Sequence, residues 1–331
     1  MFTETIALFL LGLIAASAGG YFGAAIGANF AFTLTAVTIL FAWGIYASTG
    51  SDVGFNYAAF GPFMGPHVAF AGGVAAAAYA YKKGYIEDGR DASTPLARLG
   101  RVDVLLVGAA FGVFGYLFNI GLSFIPWFGG HIDSVALTVF TSGVLARVLF
   151  AGSLMTPEKY NQSSSFLGKI APNDTDHWLR YQEKPSQFLT LGFFAGLLAA
   201  AVSVMLAHFV PGADAWAQTL PFAISAIIIG FLILGAPMPV QHHITIIAGL
   251  AAVKFMPVLA GAGFAWNGPW DDALWFTAIG AIGIGAVFGM VSAFLGEIQS
   301  RLFHQRGRSH IDPPAAAIWI GTLLVLTLSG N

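Results

Sequence analysis

Three sequence blocks occur twice in this chain, in one order and at nearly one spacing. His67-Val68-Ala69-Phe70 opens an apolar run that continues to Ala76, and His243 opens another that ends in Gly249-Leu250-Ala251-Ala252, 176 positions later. Gly108-Ala109-Ala110-Phe111-Gly112 returns as Gly285-Ala286-Val287-Phe288-Gly289, 177 positions on. His131-Ile132-Asp133-Ser134-Val135 returns as His310-Ile311-Asp312-Pro313-Pro314, 179 positions on. One such match arises by chance; three in register mark a tandem duplication. Whatever fold one half adopts, the other must resemble it.

The medium follows from composition. The chain of 331 residues is 57% apolar and 9% charged, where a soluble domain carries about 25% charged residues. Most of it therefore belongs in hydrocarbon, which an α-helix of about 20 apolar residues crosses. The balance of 14 basic and 16 acidic residues speaks against a nucleic-acid partner. The chain has no cysteine, so disulfides, thiolate metal sites and cysteine nucleophiles are all excluded.

Apolar runs predict ten helices, at 6–20, 32–46, 67–81, 104–122 and 133–154, then at 188–208, 219–234, 243–256, 273–295 and 313–328. Glu4 is the one charge ahead of the first run. Ala16-Ser17-Ala18 fits a signal-peptidase site, but the echo of 12–16 in 196–200 favours a structural helix. The expected architecture is an all-α polytopic membrane protein with interrupted helices. Its first repeat spans 1–155, a polar connector spans 156–187, and the second repeat spans 188–331.

Basic residues orient the chain. Lys82, Lys83, Arg90, Arg98 and Arg101 follow the third helix. Lys159, Lys169, Arg180 and Lys184 lie in the connector, and Arg301, Arg306 and Arg308 precede the tenth helix. Positively charged loops stay in the cytoplasm, which places both termini outside the cell membrane. An odd number of helices per repeat then makes the second repeat inverted. Inverted repeats provide two equivalent conformations around a site at their interface, built from broken helices.

Two stretches have the composition of such breaks. Gly61, Pro62, Gly65 and Pro66 lead into His67; Gly235, Pro237 and Pro239 lead into His242 and His243. Proline removes a donor and disfavours helix in the residue before it. Tight surface loops are the competing reading. The histidines at helix starts (His67, His131, His242, His243 and His310) fit either a solute pathway or simple capping. Asp133 and Asp312 suit the N-cap position, with Pro313 at the first helical residue, and proton handling by the two His-x-Asp pairs is the alternative. On the charge topology those pairs face opposite sides of the membrane, so no metal site is expected. Arg147 and Lys254 fall inside helices; they either snorkel to the interface or serve as charge partners for an anion.

Gly235-Ala236-Pro237 and Pro313-Pro314 after His310 resemble the motifs of the HPP family of integral membrane proteins, some of which are linked to nitrite transport. The likeness covers about a third of the chain. It departs from the family at Ile311-Asp312, which separates His310 from the prolines, and at His131, which no proline follows. The resemblance implies a small-anion transporter.

The expected function is a secondary transporter or channel for a small polar solute, foremost a small inorganic anion, with the bilayer and that solute as partners. A neutral-solute or ammonium-type channel, and a non-transporting subunit of a larger complex, are the alternatives; assembly with further copies of the chain is open. No set of nucleophile, acid and base comes together, so neither enzyme activity nor a cofactor is expected.

Overall fold

A computed structural model describes residues 6–173 and 175–330; Glu4 lies outside them. Among the described residues the fold is helical, with ten helices of thirteen residues or more. In the first half these are α1 (Ile6–Ile26), α2 (Ala28–Thr49), α3 (Ala69–Lys82), α4 (Val102–Ser123) and α5 (Ser134–Ala146), which runs on through a π-helical turn, Arg147–Ala151. In the second half they are α6 (Pro185–Phe209), α7 (Thr219–Ile233), α8 (His242–Ala260), α9 (Asp272–Gln299), extended by a π turn at Ser300–His304, and α10 (Pro313–Ser329).

Seven segments are long and apolar enough to cross a membrane: α1, α2, α4, α5 with its π turn, α6, α8, and α9 with its π turn. Their outward faces carry side chains such as Ile14, Phe41, Phe194, Leu198 and Phe276, each more than 60% exposed. Apolar surface of that kind, on helices long enough to span a bilayer, suits contact with lipid, and this is a membrane-embedded protein. The three shorter helices are α3, α7 and α10, of 14, 15 and 17 residues. At 1.5 Å per residue they reach about 21 to 26 Å, short of a hydrocarbon core of about 30 Å. The proline-glycine stretches explain two of them. Residues 60–68 are irregular ahead of α3, and 234–241 are irregular between α7 and α8. The α1–α2 junction is tighter than the sequence suggests, with Gly27 at φ 93° alone between two helices.

Packing repeats between the halves. Helices α1, α3 and α4 form one triplet, and α6, α8 and α9 form another. Small residues set the closeness of each. A Cβ on Gly112 of α4 would fall 2.9 Å from Gly20 Cα of α1, and one on Gly289 of α9 would fall 2.9 Å from Gly196 Cα of α6. The remaining helices cross between halves, α2 onto α7 and α5 onto α10. Both crossings are antiparallel. Trp43, late in α2, donates from Nε1 to Thr219 Oγ1 at the start of α7 (2.9 Å), while Thr33, early in α2, meets Gly230 late in α7. Likewise Phe140 of α5 faces Trp319 of α10 across 6.4 Å, and Gly143, later in α5, meets Ile311 before α10 begins. The largest apolar core lies where these crossed pairs meet and takes residues from both halves, among them Phe32, Phe70, Val139, Phe222, Ile246 and Ile318.

The three basic segments gather at one end. Arg90 donates to Gln305 O (2.8 Å), Gly89 bridges to Ser309, and Arg308 pairs with Glu158 of the connector (3.1 Å). The connector lies along this end with only single helical turns of its own, Pro157–Lys159 and Phe166–Lys169. Tyr160 Oη donates to Leu302 O (2.6 Å), and the buried Arg306 donates to Lys159 O (3.2 Å) and Ala171 O (2.6 Å). Burial pushes the Tyr160 phenol above its ordinary range against the opposing pull of the Arg306 and Arg147 charges.

Candidate functional site

A cavity of about 110 Å³ sits between the halves. Positions related by the repeat line it in pairs: Asp133 with Asp312, Ala136 with Ala315, Val139 with Ile318, Phe70 with Ile246, and Pro66 with His242. The crossed helices α2 and α7 add Phe32 and Phe222, whose rings meet edge to face at 6.0 Å. The cavity is thus lined by residues of both halves, at positions that the sequence blocks match.

Local sequence puts the polar groups there. Asp133 caps α5 by accepting from Ala136 N (2.8 Å), and Asp312 caps α10 by accepting from Ala315 N (2.7 Å), with proline in the first turn. These carboxylates sit where helices begin because a short acceptor satisfies N–H groups that have no partner within the helix. The α10 start therefore has little to offer an anion: Pro313 and Pro314 have no N–H, and Ala315 N is taken. His310 is 7% exposed, with Nε2 3.2 Å from Asp312 Oδ1 and its ring 5.6 Å from Phe70 and 4.7 Å from His304. His242 is 5% exposed and packs on Phe32 at 4.8 Å. The Nδ1 atoms of both histidines are buried and, among the described residues, lack a hydrogen-bond partner.

The two His-x-Asp pairs are not equivalent. The sequence topology sets them on opposite sides of the membrane, yet Asp133, His310 and Asp312 line one cavity. His131 does not. It ends a short turn, Phe128–His131, with its ring stacked on Trp127 (4.4 Å) and Nδ1 2.6 Å from Trp127 O. The reason is cover. The His310 ring is enclosed by Phe70 and His304, and its backbone N donates to Gly89 O (3.3 Å), while His131 lies half-exposed in its own loop.

The broken stretches also differ. Gly61, Gly65, Pro66 and His67 are buried, and Thr35 Oγ1 donates to Met64 O within the break (2.5 Å). Gly235 and Pro237 are exposed and Pro239 half-exposed; their stretch turns inward only at Val240, which lines the cavity. His243 is buried behind His242, and Ser292 of α9 donates to its carbonyl (2.9 Å).

Arg147 does not snorkel. It is 1% exposed and donates from Nε to Ser309 Oγ (3.1 Å), from Nη2 to Ser309 O (2.5 Å) and from Nη1 to Leu154 O (3.1 Å). Its donors join the two halves and leave no fork for an anion. Lys254 is half-buried on α8, away from the cavity.

Trp178 of the connector was invisible to sequence reading, yet it lines the cavity. It is held by its own N–H to Glu183 Oε1 (2.6 Å), and Glu183 is buried with Gln305 Nε2 (3.1 Å) and His177 Nδ1 (3.0 Å) on its carboxylate. Next to it Gln182 exchanges two hydrogen bonds with the backbone of Val240. The one available signal was Trp178 itself, the tryptophan of the connector, among other aromatic residues such as Tyr160, Phe166 and Tyr181.

One family model matches the chain twice, over residues 2–168 and 159–330: Family of unknown function (DUF7973). The chain belongs to that family. No curated protein and no solved structure matches it. The double match of this DUF7973 chain agrees with the contribution of both halves to the cavity lining. Among the described residues no group of three or more His, Asp or Glu side chains is placed to hold a metal ion.

Proposed function

We propose that this protein is a transporter or channel for a small polar solute, working at the interface of two five-helix repeats of opposite orientation in a cell membrane. One observation carries the reading: the cavity between the halves is lined by sequence-matched pairs of residues, with polar groups at helix starts among them. The antiparallel crossings of α2 on α7 and α5 on α10 support the inversion, as does an odd helix count per half. The contacts among the three basic segments support one cytoplasmic face carrying the connector, with both termini on the other.

The cavity sets the solute's size. At about 110 Å³ it is smaller than the roughly 150 Å³ that holds benzene in an engineered core, so a solute of a few heavy atoms fits. The lining favours a neutral or cationic solute over the anion that the HPP resemblance implies. Two carboxylates face the space, no lysine or arginine lines it, and Arg147 is engaged elsewhere.

Uptake into proteoliposomes tests the reading, with ammonium, methylammonium, urea, nitrite, nitrate, formate and bicarbonate as the panel. The expected result is uptake of at least one of them above empty vesicles, lost in Ala136→Phe, which fills the cavity. If no solute enters faster than through bare lipid, or if Ala136→Phe transports like the wild type, the proposal fails.

A further inference from the structure

A second pocket, of about 610 Å³, lies at the end of the molecule away from the basic segments, between the start of α1, the end of α4 and the broken stretch ahead of α3. It shares a wall with the central cavity. Phe60 lines both, and Pro66 lines the cavity while its neighbour His67 lines the pocket. His67 is 1% exposed, and its Nδ1 and the Oδ1 of Asn119 are buried without a hydrogen-bond partner among the described residues. Native proteins rarely leave such atoms unpaired, and a bound ligand is one way to satisfy them.

The pocket has no twin. A step of 177 along the repeat turns Tyr116 into Ala293 and Asn119 into Gly296. There the His243 ring closes on Gly296, where a Cβ would meet its Cδ2 at 3.0 Å, and Phe188, Ile244 and Ala293 form a compact apolar cluster. The polar pocket therefore belongs to the first half alone.

We infer that this pocket is a binding site, in series with the central cavity, for a small cation that donates hydrogen bonds from nitrogen, of the ammonium or methylammonium type. The inference rests on the transport reading and narrows it. Both spaces along the line through Phe60 offer acceptors, beside the amide and hydroxyl groups of Asn56, Tyr57 and Tyr116 in the pocket. Asn119 offers Oδ1 in the pocket; Asp133 and Asp312 offer carboxylate oxygens in the cavity. The Asp312 carboxylate accepts from His310 Nε2, and His310 Nδ1 is buried without a hydrogen-bond partner among the described residues. No lysine or arginine lines either space. Between them the ring of Phe60, with Phe32 beyond it, presents aromatic surface that attracts a cation and holds back an anion. A wall shared by two sites is also what a pathway with one closed barrier requires.

The chain has no cysteine, so a single thiol can be placed without background. Asn119→Cys is labelled in proteoliposomes with a small thiol reagent added at the face opposite the basic segments, with labelling read by mass spectrometry and uptake of labelled methylammonium read in parallel. The expected result is that labelling abolishes uptake. Methylammonium at its half-saturating concentration should halve the labelling rate, as occupancy requires, and formate should leave the rate unchanged. Asn119→Gly, which installs the second half's residue, should raise the half-saturation concentration about tenfold by removing one hydrogen bond to a charged group. Labelling that leaves uptake intact, or a rate indifferent to methylammonium, overturns the site. Protection by urea or formate in place of methylammonium overturns the solute class. Protection by methylammonium in a protein that carries nothing across supports the site and sinks the transport reading, so the two failures are separable.

Discussion

Replacing Arg147 by lysine keeps the charge and removes the fork. In the native chain three nitrogens of one guanidinium reach three acceptors on two residues, Ser309 Oγ, Ser309 O and Leu154 O, at 3.1, 2.5 and 3.1 Å. A lysine ammonium is a single point and cannot serve both residues, so Arg147→Lys loses about two of the three bonds. Hydrogen bonds to charged groups contribute roughly 1.5–3 kcal/mol each, which gives about 3–6 kcal/mol. Polar contacts between helices in a membrane average only about 0.6 kcal/mol, which sets a floor near 1 kcal/mol for two. Ser309→Ala removes only the hydroxyl acceptor and leaves the carbonyl in place, so it loses one such bond and should cost about half as much as Arg147→Lys on the same scale. The expected order of stability is therefore wild type, then Ser309→Ala, then Arg147→Lys. The measurement is retained helicity of the detergent-solubilised protein across a titration with sodium dodecyl sulfate. If Arg147→Lys unfolds at the same point as Ser309→Ala or the wild type, the guanidinium is not the tie between the halves, and the account of its burial is wrong.

Three further outcomes follow from the same contacts. Asp312→Asn should keep α10 capped, because asparagine caps as well as aspartate, whereas Asp312→Ala should cost about 1 kcal/mol in the same titration. Gly112→Ala and Gly289→Ala should each cost about 1–3 kcal/mol, since the added methyl meets backbone that cannot swing aside; equal stability in both would show that the triplets slide freely. In the loop after α3, partial burial pushes the Asp88 carboxyl up, but hydrogen bonds and charge from Arg90 outweigh it and hold it below its ordinary range. A depressed carboxylate gives stability that is complete at neutral pH and lost as pH falls through the folded value. Asp88→Asn should therefore melt below the wild type at pH 7, with the gap closing toward pH 3; a gap that stays constant contradicts the pairing.

What the sequence reveals here is what repeats or stays local. The duplication is written in three blocks, and the caps at Asp133 and Asp312 show in the residues that follow them, because an N-cap involves only the next turn. The clustering of basic segments was legible for a similar reason: charge asymmetry is a sum over loops and needs no knowledge of packing. Contacts between distant segments were not legible. Arg147 sits in an apolar helix with nothing nearby to reveal that its partner is Ser309, 162 residues on. Trp178 reads as a connector residue until the fold lays it across the cavity. The His-x-Asp repeat misled in the opposite way. The residues recur, but Phe70 and His304 enclose His310 beside the cavity, while His131 stacks on Trp127 and stays half-exposed.

The crossed pairing of α2 with α7 and α5 with α10 has a consequence for how the protein is made. A half of this chain covers its own crossing helices only in part, because one face of each waits for a partner in the other half. Trp43 must wait for Thr219, 176 residues downstream. At a synthesis rate of about 5–20 residues per second, that is an interval of roughly 10 to 35 seconds. Throughout it the face of α2 that Thr219, Phe222 and Gly230 will cover stands turned to lipid or to whatever escorts new membrane chains. The connector is made within that interval, before the helices it will later lie across have all been inserted.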